Sequence, residues 1–281
     1  DLENPLYFKK MLNRKQIQEY KVNGFTVYRN FLKKTSIDNI INEVNSVINS
    51  KKSSKESIME MEPDEDNSVR RLYEPCSNYP MCKKLSESKK LLDCIEQLIG
   101  ENIMFHYSKL NMKPPRVGSV VEWHQDLTYY PLTNQDSLAV LIYLDNATIE
   151  NGCVQIIKKS HVDGIKNHNK NGIFQGRVME KVNEDDIEYI EASAGTAIFM
   201  HCMSLHASTK NKSKNSRRTL IMSYRAGDAY PIYSNMTNNT ESSIRLVRGI
   251  HPNVARFSFE SFPIPKFKNE IKSLYELQEH S

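Results

Sequence analysis

No stretch of this 281-residue chain approaches the ~18 consecutive apolar residues of a membrane span. Its start, Asp1-Leu2-Glu3-Asn4-Pro5, does not read as a secretion signal. A cytoplasmic protein without a membrane partner is therefore expected. The five cysteines, at 76, 82, 94, 153 and 202, are odd in number and show no repeated close pairing, which argues against a disulfide framework and for reduced thiols. One-sided charge is also missing. The formal charge of +4 comes from 38 basic and 34 acidic residues spread along the chain. The most notable basic cluster, Lys210, Lys212, Lys214, Arg217 and Arg218, lacks the interleaved aromatics on which bases stack, so no nucleic-acid partner is expected. There is no internal repeat, and the absence of βαβ alternation after residue 103 excludes a parallel nucleotide-binding sheet there.

What is present is a set of helices followed by short strands. Asn13 to Tyr20 reads as a polar helix stopped by Gly24, with a short strand, Phe25 to Tyr28, next. A helix capped by Thr35 or Ser36 sets Ile37, Ile40, Ile41, Val44, Val47 and Ile48 on one face. Ser50 to Asn67 turns Ser/Lys-rich and then acidic through Glu60, Glu62, Asp64, Glu65 and Asp66, and reads as an exposed loop. Another helix runs from Ser88 to Ile99 and stops before Gly100. The strands are Ile103 to Met112, Val117 to His124, Leu138 to Leu144, Cys153 to Ile157, Thr196 to Met200 and Thr219 to Arg225. This order predicts a mainly β fold with flanking helices, a double-stranded β-helix or cupin-like jelly-roll barrel. The expected organisation is a single domain over 1–281: a helical part at about 12–100, a jelly-roll core at about 103–230 and a C-terminal extension at about 231–281. The stretches 50–67 and 161–186 are candidate lids.

Val120 to Asp126 runs apolar and aromatic residues into His124-Gln125-Asp126, an HxD pair predicted to end a strand with both side chains on one face. His206 closes the largely apolar run that starts at Gly195. Two imidazoles and one carboxylate on one side of a metal are the arrangement associated with oxygen-activating Fe(II) sites. A second HxD, His161-Val162-Asp163, opens a polar stretch and reads as a loop. Arg217 stands just ahead of the β-prone run Arg218 to Tyr224. It is either a surface arginine at a strand start or, with its planar fork, the anchor for the far carboxylate of a dicarboxylate co-substrate. Lys109, Asn111 and Lys113 alternate on one strand face, and Ser208 follows His206 by two residues; these are surface or strand-end residues, or further co-substrate contacts. Trp123, pointing opposite to His124, is expected to pack.

At these residues the chain resembles the phytanoyl-CoA dioxygenase family of Fe(II) and 2-oxoglutarate-dependent oxygenases. The matching segments are His124 to Leu132, Glu150-Asn151-Gly152-Cys153, Ser160-His161, and His206-Ala207-Ser208 followed by Arg217. Lys158-Lys159 departs from the family's usual Pro-Gly turn, and Ala207 from its common glycine. The resemblance implies a jelly-roll fold with Fe(II) held by His124, Asp126 and His206. It further implies 2-oxoglutarate and O2 as co-substrates, Arg217 on the C5 carboxylate, and hydroxylation with release of succinate and CO2. Asp126 argues against a halogenase, since related halogenases lack this carboxylate. The substrate is expected to be a small molecule, polar or anionic if Arg70, Arg71, Tyr73, Glu74, Tyr129 or Tyr130 line the pocket. Salt bridges and rim packing are the alternative for those residues, and for Arg245, Arg248 and Arg256. Two other functions stay open: a cupin-like metalloenzyme that does not use 2-oxoglutarate, and a non-catalytic jelly-roll binding module. Oligomeric state is left open.

Overall fold

Residues 137–143, Ser-Leu-Ala-Val-Leu-Ile-Tyr, are buried without interruption, as expected of a strand covered on both faces. That single strand locates the three layers of the molecule. The structure, a computed structural model, describes residues 11–51, 59–62, 65–232 and 244–266.

The helices are α1 (Arg14–Asn23), α2 (Lys34–Lys51), α3 (Pro75–Asn78), α4 (Pro80–Ser86) and α5 (Lys89–Ile99). The first strands are β1 (Phe25–Tyr28), β2 (Met59–Glu62), β3 (Glu65–Tyr73), β4 (Ile103–Lys113), β5 (Val121–His124), β6 (Ser137–Tyr143) and β7 (Val154–Ile157). They are followed by β8 (Asn169–Lys170), β9 (Ile173–Phe174), β10 (Ile187–Tyr189), β11 (Ala197–His201), β12 (His206–Ser208), β13 (Arg217–Ala226) and β14 (Arg245–Arg248).

A large antiparallel sheet has the order β1-β11-β6-β13-β4-β3-β2, with β14 also on β4. A smaller one has the order β10-β7-β12-β5. Ala139, Leu141 and Tyr143 of β6 pack with Val154 and Ile156 of β7 and with Ile198 and Met200 of β11, the core between the sheets. Leu138, Val140 and Ile142, on the other face of β6, pack with Ile40 and Val44 of α2 and Leu91 and Ile95 of α5. The expected jelly roll is present as two facing sheets. The described residues do not close them into one hydrogen-bonded barrel.

Local chemistry explains the helix ends. Asn13 caps α1 with a reciprocal Gln16 bond, and Gly24, at φ 83°, ends it. α2 begins ahead of the predicted Thr35 or Ser36 cap, because the amides of Ser36 and Ile37 already bond the Lys33 carbonyl. The predicted strand from Val117 shortens to Val121–His124, since Val117 and Gly118 instead turn back onto the Pro114 carbonyl.

The largest correction concerns the predicted exposed loop at 50–67. Residues 52–58, 63 and 64 lie outside the described residues, but Met59–Glu62 is a strand paired with β3, and Glu60 and Glu62 are buried. The acidic residues point inward to meet Arg70, Arg71 and Ser119. Of the expected extension at 231–281, residues 233–243 and 267–281 lie outside the description, and β14 joins the large sheet at β4.

Candidate active site

His124 is the last residue of β5 and His206 the first of β12, and the antiparallel register pairs the two directly. Their ring centroids are 4.0 Å apart. The expected placement of Asp126 on the same strand is corrected: β5 stops at His124, and Asp126 opens a 3₁₀ turn, Asp126–Thr128. The turn brings the carboxylate back to both rings, its Oδ1 3.6 Å from His124 Nε2 and 3.7 Å from His206 Nε2. One ligand atom from each side chain lies within 4.8 Å of the others, and no second such trio of His, Cys, Asp or Glu occurs among the described residues.

Each ring is oriented from behind. His124 Nδ1 meets the Glu122 carbonyl at 2.7 Å, and His206 Nδ1 meets that of Ser204 at 3.0 Å. A carbonyl only accepts, so Nδ1 carries the proton and Nε2 presents its lone pair to the shared centre. Burial pushes the His206 pKa down to about 3 and keeps the ring neutral. Burial opposes ionisation of Asp126, but His206, His124 and Lys109 outweigh it and hold the carboxyl well below the usual carboxylate range.

The floor of the site is built from β3, β4 and β13. The register sets Arg217 opposite Lys113, and Thr219 in line with Asn111 and Arg71. Ile221 lines up with Lys109 and Tyr73, and Ser223 with Tyr107. An extra residue in β4, His106, separates the pairs Tyr107–Ser223 and Phe105–Tyr224. Such a bulge reverses the alternation of a strand. Phe105 therefore stays in the helix-side core while Tyr107 and Lys109 face the cavity.

Two adjoining cavities share Arg71, Lys109, Asp126 and Ile221 in their walls. One takes in the triad, Asn111, Ser208 and Arg217. The other reaches Tyr73, Tyr107, Tyr129, Tyr130 and Ser223. The Arg217 guanidinium is buried: Nη1 donates to Thr219 Oγ1 at 2.7 Å, Nη2 donates to the Gly152 carbonyl, and Nε has no partner. It forms no ion pair with a described carboxylate. Burial and the neighbouring Arg71 pull the Lys109 pKa down to about 8. Lys113, the third member of the alternating trio, leaves the cavities and donates to the carbonyls of Ser119 and Thr209.

Other candidates resolve as packing. Trp123 packs beside Ile157, Val178 and Leu205, and its Nε1 donates to Glu184 at 3.2 Å. His161 lies against His201 and the Lys21 carbonyl, away from the triad. Arg245 pairs with Glu87, Arg248 with Asp93 and Glu96, and Arg256 with Asp136 and Asp228. Glu60, which sequence reasoning left in a loop, accepts from Arg70 Nη1 at 3.2 Å, Arg71 Nη1 at 2.9 Å and the Tyr73 hydroxyl. The period-two alternation Met59-Glu60-Met61-Glu62 is the signal that could have revealed it. Gln125, wholly buried, fastens the 161–186 segment to the triad: its amide donates to the carbonyls of Gly164 and Met203 and accepts from the Lys166 amide.

Comparison with known proteins agrees with this geometry. A family model described as phytanoyl-CoA dioxygenase matches residues 20–219. A probable alpha-ketoglutarate-dependent hypophosphite dioxygenase of Stutzerimonas stutzeri is 30% identical over 229 residues, 77% of this chain and 80% of its own length. A methylphosphonate hydroxylase of Gimesia maris is 30% identical over 144 residues, 51% of this chain and 54% of its own. EctD from S. alaskensis, solved with 2-oxoglutarate and 5-hydroxyectoine, is similar in fold, with a TM-score of 0.64 at 19% identity over 76% of each chain.

Proposed function

Since the chain belongs to the phytanoyl-CoA dioxygenase family, we propose that it is an Fe(II)- and 2-oxoglutarate-dependent dioxygenase that hydroxylates a small molecule with release of succinate and CO2. The observation that carries this reading is the convergence of His124, Asp126 and His206 beside an arginine that has no acidic partner among the described residues.

The residues present fit the group. Two imidazole nitrogens and one ionised carboxylate form the donor set of a ferrous oxygenase, and all three residues line a cavity. In this reading His124, Asp126 and His206 hold the iron. The buried Arg217 fork, including its unpartnered Nε, takes the C5 carboxylate of 2-oxoglutarate, with Ser208 and Asn111 in the same wall. Once bound, ferrous iron and 2-oxoglutarate supply the oxidising chemistry, with O2 as oxidant.

The chain's own part is placement and shielding. The Glu122 and Ser204 carbonyls fix the two rings, and the Tyr129 hydroxyl and the Gln125 amide tie the 161–186 segment over the site at Gly176 and Gly164. That segment acts as a fastened wall. We take residues 11–266 as parts of one oxygenase domain, supported by helices and large sheet sharing one core.

The substrate is small and polar or anionic. Supporting this, two relatives carry names for activity on hypophosphite and on methylphosphonate, both small oxyanions. No helix among the described residues is long and apolar enough to cross a membrane. The five cysteines are buried free thiols, in keeping with a cytoplasmic, reducing compartment. Succinate release from 2-oxoglutarate across a panel of small acids, oxyanions and amines tests the reading. A substrate-stimulated release that disappears in His206→Ala is expected. Release that is equal in that variant and the wild type would contradict it.

A further inference from the structure

We propose that Phe174, braced from outside by a C-terminal strap of residues 252–266, is the residue that positions the metal-binding pair His124 and Asp126. The inference deepens the oxygenase reading and rests on it for the identity of the metal.

Phe174 ends β9, which pairs with β8 in a small hairpin within the 161–186 segment. Its ring is 2% exposed. It belongs to neither cavity wall, yet two contacts lead from it to the HxD pair. On one side it meets Tyr129 edge to face, with centroids 5.0 Å apart at 89°, and Tyr129 in turn stands edge-on to His124 at 5.6 Å and 83°. On the other it stacks on His168 at 6.2 Å and 16°. His168 Nδ1 meets the Lys166 carbonyl at 2.8 Å and so carries the proton, which leaves Nε2 to accept the Gln125 amide at 3.2 Å. Gln125 is the residue between the two ligands. One ring therefore governs both the tilt of the His124 imidazole and the backbone that joins it to Asp126. Groups that orient a ligand from behind tune metal affinity without touching the metal.

The support of Phe174 comes from the far end of the chain. Residues 252–266 form no helix or strand, and Pro252, Pro263 and Pro265, each with its φ fixed by the ring, limit their freedom. With no ladder of its own, the strap bonds to three separate segments. The Arg256 amide donates to the Asp228 carbonyl at 3.0 Å, the Ser258 amide to the Thr133 carbonyl at 3.0 Å, and the Lys266 carbonyl accepts the Phe174 amide at 2.8 Å. Phe259 and Phe262, edge to face at 5.3 Å, pack against the cluster that contains Leu127, Tyr129, Leu132 and Phe174. The strap lies beyond the residues 20–219 that the family model matches. It crosses the end of β13, the stretch after the HxD pair and the 161–186 segment, and so clamps together the three pieces that Phe174 must stay between.

NMR of the eight histidines, labelled with carbon-13 at Cε1 in the metal-free protein, tests the positioning directly, and anaerobic titration gives the Fe(II) affinity. Phe174→Leu keeps the site apolar and removes the ring. It is expected to shift the His124 and His168 signals, to leave those of His161 and His201, which lie against α1, in place, and to weaken Fe(II) roughly tenfold. 2-Oxoglutarate added to the iron-saturated variant binds within about threefold of wild type, since Arg217 is untouched. Phe262→Ala shifts the same two signals in the wild type and does not in a Phe174→Leu background, because the strap acts through that ring. Leu91→Ala, in the helix-side core, lowers the melting temperature and moves neither the two signals nor the iron affinity, which separates positioning from general loss of stability. Unshifted His124 and His168 signals with wild-type Fe(II) affinity in Phe174→Leu, or an equal loss of iron in Leu91→Ala, would overturn the proposal. A Phe262→Ala effect that persists undiminished without the Phe174 ring would overturn the part given to the strap. Failure of the oxygenase reading looks different: the wild type then binds the metal without developing the visible band of bound 2-oxoglutarate, while the histidine signals and the metal affinity still decide the role of Phe174.

Discussion

Asp126 and Arg217 divide the work of the site. The carboxylate is kept ionised by two imidazoles and Lys109, and the guanidinium is buried among neutral oxygens only. His206→Ala is therefore expected to remove tight metal binding, read as the iron retained after dialysis. Arg217→Gln keeps the metal and weakens 2-oxoglutarate roughly a hundredfold, the loss of a charge-assisted two-bond contact. The triad and Arg217 were legible in the sequence because both histidines and Arg217 sit at strand ends and the HxD spacing is local. That Asp126 sits on a turn was not legible, since alternation along a strand and a following 3₁₀ turn give the same three letters. Arg71 stayed ambiguous for a different reason. Its role depends on Glu60, Tyr73 and Asn111, which meet it only through sheet pairing.

At the scale of elements, the hairpin of β2 and β3 carries the charged wall. Its register skips Arg70, pairing Glu60 with Arg71 and Met61 with Val69, which lets adjacent arginines reach one carboxylate. Burial and the adjacent Arg71 already pull the Arg70 pKa down. Glu60→Gln removes the carboxylate that two buried guanidiniums share and is expected to cost about 3 kcal/mol, read as a lower urea midpoint at unchanged slope. A four-residue strand whose acids face the site while its methionines pack against the helix-side core offers no apolar run, so residues 59–62 read as part of a loop. By contrast, α1, α2, α5 and β6 were legible, because capping residues and continuous or 3.6-period apolar runs mark them locally. Gln125→Ala removes three bonds that tie Gly164, Lys166 and Met203 together. Faster amide exchange across residues 164–178, with β6 and β13 unchanged, is the expected result.

The whole molecule stacks helices, a large sheet and a small sheet, with the site in the gap between the sheets. This layering buries histidines that the chemistry does not need. Burial pushes His106 and His201 down to about 3 from the ordinary value of 6.5. The unfolded chain takes up protons at these positions first, so their stabilising contribution is complete above pH 6.5 and declines as pH falls toward 3. Thermal unfolding is expected to show a melting temperature that drops between pH 6.5 and 4, as the unfolding free energy falls by up to about 1.4 kcal/mol per pH unit for each group. His106→Leu should reduce that slope. The layers themselves were legible from the order of helices and strands. Two facing sheets belonged to that reading too; that the described strands leave them unclosed by hydrogen bonds did not, since edge pairing depends on contacts distant in sequence.

Anaerobic titration of the protein with Fe(II) and then 2-oxoglutarate, followed in the visible range, tests the central claim most directly. A weak charge-transfer band from the keto acid on ferrous iron should appear at one equivalent of metal, vanish in His206→Ala and require far more 2-oxoglutarate in Arg217→Gln. A wild-type protein that binds Fe(II) and 2-oxoglutarate without developing the band, or develops it equally without His206, would contradict the account.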